Sequence, residues 1–158
     1  MPNKTAIVRC PIHGSIQLNS RELALIDHPF FQRLRYISQL GFASFVFPGA
    51  VHTRFSHSLG AIHLAGLVFN QIIDTCRQNL RRFYSREQLD YFHQIVRFAS
   101  LLHDLGHPPF SHAAESILPP LSSINCSIIN TSESDRQSTH EDFSQLIIYH
   151  LATEEGLL

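Results

Sequence analysis

The sequence predicts an all-α fold with small β pieces near its N-terminus. Three observations lead there. Apolar residues recur at helical spacing over most of the chain, loose alternation is confined to the first eighteen residues, and helix-capping side chains precede the helical stretches. The 158 residues suit one domain, and 44% hydrophobic with 16% charged residues supports a packed core and excludes a disordered tail.

Thr5 to Leu18, containing Pro11 and Gly14, reads as a short β-hairpin or extended arm. Asn19 with Glu22 forms a capping box opening a short helix through Ile26. Pro29 suits a first helical turn, and Phe30, Phe31, Leu34, Ile37 and Leu40 keep helical spacing until Gly41 stops the element. Phe42 to Val51 is aromatic and β-branched, which predicts a second small strand or hairpin. Arg54 to about Leu80 is helical again, with Phe55, Leu59, Ile62, Leu67, Ile72, Ile73 and Cys76 on broad apolar faces. Ser85 and Gln88 cap the next helix, whose Leu89, Phe92, Ile95, Val96, Ala99 and Leu102 form one apolar stripe. That helix must break at Gly106-His107-Pro108-Pro109. A short helix over Ser111 to Leu118, a Ser/Asn/Pro-rich surface loop over 119–138, and a last helix capped by Thr139 complete the chain. The last helix carries Phe143, Leu146, Ile147 and Leu151, and the 12 phenylalanines of the chain are expected in the core.

Charge and cysteine content exclude several classes. A net charge of -1, from 12 Lys+Arg and 13 Asp+Glu, excludes a globally basic nucleic-acid coat. The local cluster Arg77, Arg81, Arg82 and Arg86 reads as a solvated helix end, with nucleic-acid binding the minor alternative. Cys10, Cys76 and Cys126 form no CxxC pair, so a disulfide scaffold or cysteine-rich zinc site is not expected. No apolar run is long enough to span a bilayer. The chain is expected to be soluble and intracellular, in the cytoplasm or in a eukaryotic nucleus, with no membrane partner.

The placement of the 11 histidines carries the chemistry. His103 and Asp104 stand together at the predicted end of a buried helix, where the turn made by Gly106 lets both approach one ion. His57, near the start of a different helix, is placed to meet them as a third ligand. A mixed imidazole–carboxylate set suits Mn, Fe, Zn or Ni rather than an all-oxygen magnesium cage. His107 and His112 flank the Pro-Pro break, and Glu115 follows His112 by three residues. A carboxylate on one ring nitrogen fixes the tautomer and stabilises the imidazolium that acid–base work needs. His13, His63, His93 and His150 are read as structural.

The string His103-Asp-Leu-Gly-His-Pro-Pro-Phe-Ser-His-Ala-Ala-Glu115 resembles the signature of the HD superfamily of metal-dependent phosphohydrolases. More narrowly it is similar to the deoxynucleoside triphosphate triphosphohydrolases and their SAM-and-HD relatives. Pro11-Ile-His-Gly14, Asp27 to Gly41, Phe47 to Gly60 and Thr139-His-Glu141 resemble further blocks of that group, in the same order.

The resemblance implies an HD-domain helical bundle over 1–158, with His57, His103 and Asp104 as metal ligands. It makes His107, His112 and Glu115 the acid–base and phosphate-contacting group, with His140 lining the same pocket. Arg54 would hold substrate phosphate and Gln39 would contact the deoxyribose. Asp27 and Arg35 match positions that form an allosteric nucleotide surface between subunits, which implies a homo-oligomer. The implied reaction is attack of water on the α-phosphorus of a deoxynucleoside triphosphate, with Mg carried on the substrate. Where relatives begin the arm with Asp-Pro, this chain has Cys10-Pro11. The group's fourth ligand is an aspartate on a later helix, which neither Asp135 nor Asp142 matches, so the sequence is expected to be the N-terminal part of a longer enzyme or a shortened homologue. Two alternatives stand beside the triphosphohydrolase: an HD phosphodiesterase or nucleotidase, and a catalytically impaired nucleotide-binding fragment.

Overall fold

The computed structural model describes residues 5–124, 128 and 136–158. Cys126, Asp135 and most of the second half of the expected loop over 119–138 lie outside the described residues.

The N-terminal hairpin forms as the alternation predicts: β1 (Ala6–Cys10) pairs antiparallel with β2 (Gly14–Leu18), in the register Val8 opposite Ile16. Gly14 takes the turn at φ +70, a left-handed conformation that glycine adopts without strain. Ile16 and Leu18 face the core from β2. Helix α1 (Ser20–Asp27) starts on the predicted capping box, with Asn19 and Glu22 exchanging hydrogen bonds of 2.9 Å.

The next stretch departs from prediction. The helix expected from Pro29 to Gly41 is only α2 (Pro29–Gln32) followed by a 3₁₀ turn over Arg33–Tyr36. It ends early because the backbone of 37–39 leaves the helical path to pair with the approach to the next helix. Arg54 donates its backbone N–H to Ile37 at 2.9 Å, and Gln39 donates to His52 at 3.1 Å. The strand or hairpin expected within Phe42–Val51 is absent among the described residues. Gly41–Phe45 is a 3₁₀ turn, and the only sheet-like contact nearby is the isolated bridge between Ser38 and Thr53.

Helix α3 (Arg54–Thr75) is followed by one turn, α4 (Arg77–Leu80), and α5 (Arg86–Leu102) returns antiparallel to α3. Thr53 and Ser85 supply the caps. The expected stripe of α5 is rotated, with Phe92, Ile95 and Ala99 exposed. The inward face carries His93, Arg97 and Leu101 instead, because Arg97 must meet Glu22. Glu22 is 1% exposed and accepts from Arg97 Nε at 2.6 Å and from Nη2 at 2.9 Å. A buried carboxylate left without that partner would be costly.

After α5 come a turn through His103–Gly106, a 3₁₀ segment over Ser111–Ile117, and α6 (His140–Thr153). The core gathers Leu25, Phe31, Leu34, Ile62, Leu101, Leu105 and Leu151. The expectation that phenylalanines fill it fails. Phe31 and Phe55 are buried, whereas Phe42, Phe45, Phe47, Phe83, Phe92 and Phe110 are exposed, all but Phe92 outside the α-helices. No helix among the described residues is long and apolar enough to cross a membrane.

Candidate active site

Two helix ends build the site. His57 stands on the first turn of α3, which Thr53 starts by accepting from the Ser56 N–H at 3.4 Å. His103 and Asp104 stand where α5 runs out. The antiparallel packing of α3 and α5 brings these ends together, so His57 Nε2 and His103 Nε2 face each other at 3.3 Å. Asp104 joins them, with Oδ1 3.4 Å from His103 Nε2 and Oδ2 3.8 Å from His57 Nε2.

The chemistry of this donor set fits a metal ion. His103 Nδ1 lies 2.8 Å from the Ser100 carbonyl oxygen, which can only accept, so Nδ1 carries the proton and Nε2 presents its lone pair. Burial holds the His57 ring below its ordinary pKa against the opposing pull of Asp104, so it is neutral near pH 7. Burial raises the Asp104 carboxyl, but His103, Arg54 and His107 outweigh it and keep Asp104 ionised.

Asp104 also links this trio to a second group. Its Oδ1 lies 3.6 Å from His107 Nε2, and His107 stacks on His140 with ring centroids 3.8 Å apart. Glu115 binds His140 Nδ1 in a short contact and lies 3.3 Å from His112 Nδ1. His107, His112, Glu115 and His140 each offer an atom within 4.8 Å of the others. Their environments differ. His107 is 1% exposed, and burial, then Arg54 and His140, push its pKa down to about 3. His112 is exposed, its side chain 67% accessible. Burial raises the Glu115 carboxyl, yet the hydrogen bonds from His140 and His112 hold it below the ordinary range.

The other expected residues are placed as follows. Arg54 lies on the same α3 turn, 3% exposed, its guanidinium donating to Asp104 Oδ2 at 2.6 Å and to Ser111 Oγ at 3.1 Å. Gln39 is half-buried behind it, its carbonyl 3.5 Å from Arg54 Nη2 and its side-chain Oε1 buried without a hydrogen-bond partner. Asp27 and Arg35 are exposed on other elements, Arg35 lying over the Phe55 ring at 3.5 Å. Asp142 is a structural group. It accepts from Arg136 through both oxygens at 2.7 Å and closes the cap of α6 on Thr139. His13, His63, His93 and His150 lie outside both donor groups.

Sequence reasoning missed two side chains that hold the turn carrying His103, Asp104 and His107. Ser144, 4% exposed on α6, donates to the His103 carbonyl at 2.9 Å and accepts from the Gly106 N–H at 2.8 Å. Arg33 donates to the His107 carbonyl at 2.6 Å and to the Leu105 carbonyl. A serine one helical turn after His140 was the available signal for the first. Nothing local in the sequence marked the second, because the carbonyls lie more than seventy positions away.

Backbone conformation supports the same corner. Phe110 and Ser111 both adopt left-handed φ values, 66 and 55, which cost about 1–3 kcal/mol each for residues with side chains. Gly41, itself at φ +51, lies against the Phe110 carbonyl, where a Cβ would sit 3.0 Å from the oxygen. A cavity of about 630 Å³ opens beside His57, walled by Ile12, Val51, Ala61 and Leu64.

A family model described as HD domain matches residues 54–157. The chain is 38% identical over 151 residues to the deoxynucleoside triphosphate triphosphohydrolase SAMHD1 of Bos taurus, covering 96% of this chain and 23% of that protein. The Homo sapiens protein of that name is also 38% identical over 96% of this chain, and 21% of its length is covered. The SAMHD1 homolog of Dictyostelium discoideum gives 38% identity over 96% of this chain and 26% of its own length. The chain spans about a quarter of the length of these curated relatives.

Proposed function

From the chain's membership of the HD domain family, we propose that it holds a divalent metal ion on His57, His103 and Asp104 and hydrolyses deoxynucleoside triphosphates to deoxynucleoside and triphosphate. The observation that carries this reading is the convergence of the ligand trio with a separate imidazole–carboxylate group across the single carboxylate of Asp104. The substrate class is supported by the names of the relatives that match nearly the whole chain.

The bound ion supplies Lewis acidity at a phosphate oxygen or at water; Mn, Fe, Zn and Ni suit the donors. The oxygen of water joins the α-phosphorus, the bond to the 5′ oxygen breaks, and one proton goes to that oxygen. His107 is neutral at physiological pH and does not give that proton; its role is to hydrogen-bond a phosphate oxygen or orient Asp104. His112 is the exposed imidazole, with Glu115 holding Nδ1 and stabilising the protonated ring, so it is the proton donor. His140, tied to the same carboxylate, fixes Glu115 in place. Arg54 orients Asp104 and brings a positive charge to within reach of the phosphates. Gln39, whose buried Oε1 has no partner, contacts the sugar. Asp27 and Arg35 contribute to a nucleotide-responsive surface between copies of the chain.

A second reading is a nucleotide-binding fragment with impaired turnover. It is favoured by Asp142, whose commitment to Arg136 and Thr139 keeps it from serving as a fourth ligand beside Asp104.

Incubation of the protein with Mn²⁺ and each deoxynucleoside triphosphate, followed by anion-exchange separation, tests the assignment. Deoxynucleoside and triphosphate are the expected products, with His112→Ala lowering the rate about 100-fold or more. Monophosphate with pyrophosphate, or turnover of cyclic nucleotides alone, would replace the triphosphohydrolase reading. Nucleotide binding without turnover under any metal would establish the second.

A further inference from the structure

The turn that carries His103, Asp104 and His107 follows the end of α5, where backbone carbonyls have no helical partners. Within the turn, Leu105 and His107 donate their backbone N–H groups to the Leu102 and Asp104 carbonyls at 3.1 Å, which leaves the carbonyls of His103, Leu105 and His107 to other partners. Two side chains from outside it take up its free backbone groups. Arg33 spans the later half, donating to the Leu105 and His107 carbonyls. Ser144 spans the earlier half, donating to the His103 carbonyl and accepting from the Gly106 N–H. The two spans overlap at Leu105–Gly106: Ser144 holds the His103 backbone, Arg33 holds the His107 backbone, and Asp104 lies between the two anchored positions.

We propose that Arg33 and Ser144 are positioning residues that clamp this turn from two separate elements and set its affinity for the metal ion. This rests on the assignment of His57, His103 and Asp104 as ligands. The residue types suit the task. A guanidinium is a planar fork that reaches two carbonyls at once, and a cation near a helix C-terminus is also favoured by the helix dipole. A hydroxyl both donates and accepts, as the Ser144 position requires. The backbone of α6 lies so close to Gly106 that a Cβ there would overlap the His140 carbonyl oxygen and the Ser144 nitrogen. Ser144 therefore couples the ligand turn to the helix that carries His140, and a change at either clamp is felt by both donor groups.

Mn²⁺ binding to the purified full chain, followed by electron paramagnetic resonance well below the melting temperature, tests the proposal. Arg33→Met and Ser144→Ala should each weaken Mn²⁺ binding by about 10-fold or more, as loss of groups orienting ligands does in metal sites. Arg33→Lys, which keeps the charge but not the fork, should recover part of that loss, and Ser144→Thr should recover part of the other. A merely structural role would lower the melting temperature and leave the affinity of the folded fraction unchanged. Affinities within about 2-fold of the parent in both Arg33→Met and Ser144→Ala would overturn the clamp, given the 10-fold effect expected. Should Arg33→Met fail to fold, Arg33→Lys and Ser144→Ala decide the question. His103→Ala is the control: loss of Mn²⁺ there with normal binding in the clamp variants overturns the clamp alone, whereas full Mn²⁺ binding by His103→Ala overturns the ligand assignment and the clamp together.

Discussion

Asp104 is one carboxylate serving four neighbours: His57, His103, His107 and Arg54 all lie within 4 Å of its oxygens. That sharing lets a single aspartate join the His57–His103 pair to the group of His107, His112, Glu115 and His140. Asp142 shows the opposite use of the same side chain, since its neighbours are a cap and an arginine and no imidazole. The Arg136 hydrogen bonds lead in holding the Asp142 carboxyl below the ordinary carboxylate range, against the effect of burial. A carboxyl depressed in the folded state adds stability that is complete above its unfolded pKa, near 4, and is lost as pH falls through the folded value. Asp142→Asn should therefore destabilise the chain by about 1–2 kcal/mol at pH 7. Parent and variant should converge as pH falls below about 4. Thermal melts at pH 7 and pH 3 measure this, and a gap of unchanged size at pH 3 would refute the role.

At the scale of elements, what was legible in the sequence was whatever short-range chemistry dictates. The caps at Asn19, Ser85 and Thr139 and the hairpin turn at Gly14 depend on contacts within a few residues and are realised, while α5 stops at Leu102, ahead of the break expected at Gly106. The stretch from Arg33 to Val51 was not legible, because the pairing of 37–39 with 52–54 is set by where α3 begins rather than by local spacing. The rotation of α5 was hidden for a similar reason. Hydrophobic spacing points Phe92 and Ile95 inward, but Glu22, seventy-five positions from Arg97, turns the helix. The donor residues of the site were legible as types and spacings, while the clamp on their turn was not, since it engages backbone carbonyls that carry no sequence identity. The closest approach of elements gives the sharpest prediction here. Gly106→Ala inserts a methyl group between the ligand turn and α6, and it should cost about 1–3 kcal/mol in chemical denaturation while lowering metal affinity. Wild-type stability in that variant would mean that α6 does not press on the turn.

At the scale of the molecule, the fold brings together one end of each of three helices: the start of α3, the end of α5 and the start of α6. Buried apolar residues, among them Leu59, Ile62, Leu101 and Leu105, lie on or next to these helices, and Arg54, Asp104 and His107 are buried with them while His112 is exposed. A chain of net charge -1 has no strong overall field with which to gather cations or phosphates. On the proposed ligand assignment, binding rests on the local convergence of His57, His103 and Asp104. Long-range ¹H–¹⁵N spectra of the histidine rings, recorded before and after equimolar Zn²⁺, examine that convergence ring by ring. The Nε2 signals of both His57 and His103 should shift on coordination, with His103 keeping its proton on Nδ1 and with His93 and His150 unmoved. A His57 Nε2 signal that stays in place while the metal binds elsewhere would contradict the shared centre.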